Sequence, residues 1–106
     1  MTEPVVHRSG HHYEIRVDGT LAGIAQFRDR PDQRVFFHTE ITEAFQGKGM
    51  SSRLIAGALA DTRAAGQRVV PVCAAVAAYL TKHDETADPV TPEILTWLDA
   101  TLAPRS

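Results

Sequence analysis

The hydrophobic period changes once along this chain, and that change constrains the fold more than any other feature. From His12 to Ile41 apolar residues alternate with polar ones, as on a strand. From Gly49 onward they recur at helical spacing instead. Tyr13, Ile15 and Val17 fall on one face of a strand and His12, Glu14 and Arg16 on the other. Asp18-Gly19 follows as a hairpin turn, and Leu21 to Phe27 supplies the returning strand. Ser9-Gly10 marks an earlier turn after a short strand around Val5. Arg28 to Arg34 is polar, contains Pro31, and reads as a loop. Val35 to Ile41 is the clearest strand, with Val35, Phe37, Thr39 and Ile41 on one face and Phe36, His38 and Glu40 on the other.

In the second half, Leu54, Ile55, Ala58, Leu59 and Thr62 form one stripe of a helix from Gly49 to Ala65, and Gly66 follows as its cap. Arg68 to Val72 is a short β-branched strand, and Ala74 to Lys82 fits a second helix. Thr91-Pro92-Glu93 opens a third helix, with Ile94, Leu95, Leu98 and Leu102 along one side. The fold class is therefore α/β (α+β): a mixed, mainly antiparallel sheet flanked by helices. The 106 residues, 43% of them hydrophobic, suffice for a single domain over 1–106 and one modest core.

Thirteen acidic residues against eleven basic ones leave a net charge of −2, which disfavours broad capture of nucleic acid or of an anionic membrane. Cys73 stands alone, so no intramolecular disulfide forms. The opening Met-Thr-Glu-Pro lacks a charged segment followed by an apolar core, and a cytoplasmic location is expected. His7, His11 and His12 lack a convincing set of partner ligands, so no metal is expected.

Between the best strand and the best helix lies Ile41-Thr-Glu-Ala-Phe-Gln-Gly-Lys-Gly-Met-Ser-Ser-Arg-Leu54. Two glycines at a helix entrance let the backbone approach a ligand, and the free amides at the helix start suit a pyrophosphate. Lys48 and Arg53 add positive charge at the rim. Gln46-Gly47-Lys48-Gly49-Met50-Ser51 resembles the acetyl-CoA signature of the GNAT N-acetyltransferases, Gln/Arg-x-x-Gly-x-Gly/Ala, with Ser51 at the last small position. His38-Thr39-Glu40-Ile41 and Val70-Pro71-Val72-Cys73, followed by Tyr79 and His83, resemble a minimal family of that superfamily. That family pairs a His-Thr-Glu-Val strand with a Cys-Pro segment and a later His-Pro-Glu. This chain has Cys73-Ala74 and His83-Asp84-Glu85 there.

The resemblance implies a sheet splayed open beside the glycine loop, acetyl-CoA as cosubstrate, and acyl transfer to an amine that remains unidentified. On this reading Ile41, Gln46, Gly47, Lys48, Gly49, Met50, Ser51 and Ser52 hold the CoA thioester. Tyr79 matches the tyrosine that protonates the leaving thiolate; the alternative is an aromatic packed on the core. Cys73 lines the thioester end, acts as an acid or accepts the acetyl group, or is a buried structural cysteine. Glu40 and His38 are candidate bases for the amine, against a solvated Glu and a structural His. Thr39 is assigned to packing, His83 to the end of its helix, and Trp97 to packing or an interface. A non-catalytic acyl-CoA-binding module is the alternative function.

Overall fold

The structure, a computed structural model, describes residues 3–104; residues 1–2, which open the Met-Thr-Glu-Pro segment, and residues 105–106 lie outside it. Among the described residues the strands are β1 (Val5–Ser9), β2 (His12–Val17), β3 (Thr20–Arg30), β4 (Gln33–Ile41) and β5 (Arg68–Pro71). The helices are α1 (Met50–Ala64), α2 (Ala74–Lys82) and α3 (Pro92–Leu102), and a 3₁₀ turn spans Glu43–Phe45. The sheet runs β1-β2-β3-β4-β5, antiparallel except for the parallel pair β4–β5 that α1 connects.

The expected period switch therefore carries the architecture. All five residues of the anticipated α1 stripe are buried against the sheet, with Tyr13, Ile15, Ala25, Phe27 and Phe36 facing them. Gly57 lets α1 come down on the edge strand, since a Cβ there would lie 2.9 Å from Val6 Cβ. α2 joins the same core through Val76 and Leu80. A second, smaller cluster of Val35, Val70, Ile94 and Leu98 places α3 on the opposite face, with Phe37, Val72 and Trp97 at its margin.

Three expectations are corrected. The segment Arg28–Arg34 is not a loop: β3 runs to Arg30 and β4 starts at Gln33, leaving Pro31-Asp32 as the turn. The cause is Arg34, which is buried, sits 4.5 Å over the Phe27 ring, and is paired with Asp29 at 2.8 Å across the hairpin. The alternation along β4 also breaks. Gln26 faces His38 and Phe27 faces Phe36, so Phe37 is an extra residue, a β-bulge. Phe36, Thr39 and Ile41 consequently turn to the α1–α2 side, while His38 and Glu40 are exposed on the other. On α3, Ile94 and Leu98 are buried but Leu95 and Leu102 are exposed, because the core beneath this helix is supplied by only β4 and β5.

Candidate functional site

β4 and β5 stay paired only from Gln33–Arg68 to Phe36–Pro71. The Cys73 N–H still donates to the Phe36 carbonyl at 2.8 Å, and then the chain leaves as α2. Among the described residues no strand pairs with Phe37–Ile41 on that edge, although β3 covers the other. The sheet is thus splayed between β4 and α2, with unpaired backbone groups along one side.

The glycine loop follows directly from the end of this unpaired edge. After Ile41 the chain makes the 3₁₀ turn, and Gln46 folds back so that its Nε2 donates to the Ile41 carbonyl at 3.2 Å. Gly47 and Gly49 both adopt left-handed backbone, φ 76° and 75°, and a Cβ on either would meet nothing within 4 Å. Their necessity therefore lies in the φ angle rather than in crowding by the protein. Gly49 is the N-cap of α1 and offers no side-chain cap, and the first turn holds no acidic residue. α3 is the contrast: Thr91 Oγ1 accepts from the Ile94 amide at 3.2 Å, and Glu93 sits in the first turn. The start of α1 is left as a positive end with uncapped amides, the arrangement that suits an anion. Lys48, at 5.9 Å from the Phe45 ring, and exposed Arg53 add cationic charge beside it.

Ser51, Ser52 and Ile55 of α1 face Ala75, Ala78, Tyr79 and Lys82 of α2 across a groove of about 260 Å³. The fold thus joins two sequence-predicted residues of the helix start to Tyr79. Met50 packs inward against the main core, as does part of Tyr79, whose ring lies 4.2 Å from that of His83. His83 is the C-cap residue of α2. Cys73 is the N-cap of α2 and is buried, with Sγ 3.3 Å from Thr39 Oγ1. Thr39 was expected only to pack; the bulge brings its hydroxyl to the thiol.

His38 and Glu40 do not join this group. Glu40, Ile41 and Gln46 instead line a separate cleft of about 410 Å³ with Leu21, Ile24, Thr42 and Glu43. The two expected halves of the site therefore lie on opposite faces of β4. His7 and His12 approach Glu14 at 3.3 and 3.0 Å. His12 and Arg16 hold the Glu14 carboxyl below its ordinary pKa by hydrogen bonding to it. Among the described residues no three His, Cys, Asp or Glu side chains gather as metal ligands.

Sequence reasoning missed Lys82 and Thr39. Lys82 was legible in principle, since residues 75, 78, 79 and 82 share one helical face. Thr39 was not, because its orientation depends on the bulge.

A splayed mixed sheet whose open edge runs into a glycine loop and a bare helix start is a specific combination, and a family comparison agrees with it. The profile of the GCN5-related N-acetyltransferases matches residues 12–89, from the start of β2 to the segment beyond α2. The chain belongs to that family. No curated protein matches the chain. Membership in the GCN5-related N-acetyltransferases gives the chain an acyltransferase type of chemistry. No helix among the described residues is long and apolar enough to cross a membrane.

Proposed function

We propose that the protein is an acetyl-CoA-dependent N-acetyltransferase acting on an amine of a small molecule or a protein. The observation that carries this reading is the unpaired β4 edge, Phe37–Ile41, leading into the αL glycines at the uncapped start of α1. A pyrophosphate suits the amides from Gly47 to Ser52, with Lys48, Arg53 and Lys82 as nearby cations. The extended arm of the cosubstrate suits the open strand edge, with which no strand pairs among the described residues and where only the Ile41 carbonyl is engaged, by Gln46.

On this reading the amine nitrogen attacks the thioester carbonyl, a C–N bond forms and the C–S bond breaks. The amine proton leaves toward Glu40 or His38, directly or through water, and Tyr79 protonates the departing thiolate. Isothermal titration with CoA and acetyl-CoA tests the binding half. Release of free CoA over a panel of amines and thiols tests the chemistry.

The binding-module reading draws on one observation: neither His38 nor Glu40 contacts Tyr79 or Cys73, so no preassembled proton relay links them. Tight acetyl-CoA binding without turnover on any acceptor would favour it.

A further inference from the structure

The opening between β4 and α2 ends where a side chain of β4 meets the N-cap residue of α2. Thr39 Oγ1 and Cys73 Sγ lie 3.3 Å apart, a hydrogen-bond distance for sulfur that leaves no space for another atom between them. Both sides of the contact are held firmly. Thr39 is paired to Ala25 of β3, and the Cys73 amide is tied to the Phe36 carbonyl at 2.8 Å. Phe36 and Val76, each 1% exposed, belong to the packed core behind it.

An arm that enters beside Ile41 and follows the strand edge reaches Thr39 after two residues, about 7 Å at roughly 3.3 Å per residue. We propose that the Thr39–Cys73 contact sets the length limit for the acyl group, confining the protein to short acyl thioesters. This rests on the proposed function and assigns acyl-chain selectivity to two named side chains. A longer chain must part the hydroxyl from the thiol and push into a core that is already filled, which is costly because packed interiors yield little.

Titration calorimetry of the full-length protein with CoA, acetyl-CoA and butyryl-CoA tests the proposal without requiring an acceptor. Butyryl-CoA is expected to bind the wild type roughly tenfold more weakly than acetyl-CoA, the scale of overpacking two methylenes. Cys73→Ala and Thr39→Ala should each narrow that gap to about threefold or less, since each removes one half of the stop. Thr39→Ser keeps the oxygen and should keep the gap. Equal wild-type affinity for acetyl- and butyryl-CoA would overturn the length limit alone. So would an undiminished gap in both alanine variants, with thermal melts showing them folded. If one alanine variant fails to fold, the wild-type series still tests the length limit and the other variant still tests its assignment to the contact. Absence of any CoA binding by the wild type would instead overturn the proposed function, and the length limit with it.

Discussion

The phenol oxygen of Tyr13 on β2 accepts a hydrogen bond from Arg34 Nη1 on β4 at 2.6 Å and donates one to Asp61 of α1 at 2.5 Å. Arg34 is 4% exposed, and a charge so placed persists only when its donors are engaged. Asp29 receives both Nε and Nη2, at 2.8 and 3.1 Å, so with Tyr13 each of the three guanidinium nitrogens has one acceptor. Burial, followed by the bond to Asp61, holds the Tyr13 phenol above its ordinary pKa. Burial opposes the charge of Arg34, yet the bond to Asp29 and the attraction of its neighbours raise its pKa overall.

Tyr13→Phe keeps the ring and removes the oxygen, taking the hydrogen-bond acceptor from Nη1 of a buried guanidinium and leaving it only the ion pair with Asp61 at 3.6 Å. Stability should fall by about 1–3 kcal/mol in urea unfolding at neutral pH. The aromatic contacts to Phe27 and Phe36, with centroids 5.2 and 6.1 Å away, remain in that variant. A loss below about 0.5 kcal/mol would mean that Asp61 or water replaces the phenol at Arg34.

The same network explains where the sequence could and could not be read. The stripe Leu54, Ile55, Ala58, Leu59 and Thr62 was legible because helical spacing is a local property, and all five are buried. The Asp18-Gly19 turn was legible for the same reason, both residues having positive φ. Arg28–Arg34 was misread as a loop because the burial of Arg34 relies, beyond its local pair with Asp29, on residues far away in sequence, Tyr13 and Asp61. The bulge at Phe37 is set by the register of β3, which no window along β4 contains. The side of the sheet that Thr39 shares with Phe36, and with it the Thr39–Cys73 contact, was therefore hidden, whereas the placement of Glu40 and His38 on the face opposite Thr39 was legible from the alternation itself. The glycine loop was legible as a motif, but the uncapped amides it leads to follow from the geometry of α1.

Gly49 tests that loop. Its φ of 75° is open to asparagine at modest cost and closed to a β-branched residue, while its missing Cβ touches nothing in the protein. Gly49→Val should lose acetyl-CoA affinity by about tenfold or more, and Gly49→Asn should retain most of it. Equal affinity of the valine variant in calorimetry would show that the phosphates bind elsewhere.

Tyr79→Phe separates proton donation from packing. The ring keeps its place between the core and His83, so CoA affinity should remain near that of the wild type. Turnover should fall by about 10²–10⁴-fold if the hydroxyl protonates the thiolate. Unchanged turnover in the free-CoA assay would return Tyr79 to a packing role.

Asp88 predicts an acid-dependent fastening of the segment that follows α2. Its amide donates to the Val69 carbonyl at 2.8 Å, and its Oδ2 accepts from Gln33 Nε2 and Arg68 Nε, each at 2.7 Å. These bonds, first that of Gln33 and then that of Arg68, hold the carboxyl below its ordinary pKa. A carboxylate whose pKa is depressed by folding contributes stability above its unfolded pKa, about 3.9, and loses that contribution as pH falls through the folded value. Asp88→Asn has no such titration. The wild type should therefore be more stable than the variant at pH 6, by less than about 1 kcal/mol because solvent screens the pair. The difference should shrink steadily below about pH 4 as the carboxyl is protonated. Urea midpoints of both proteins measured from pH 6 down to about pH 2.5 follow this directly. A gap that stays constant across that range would mean that the Asp88 side chain fastens the segment through shape and neutral hydrogen bonds, with its charge contributing nothing.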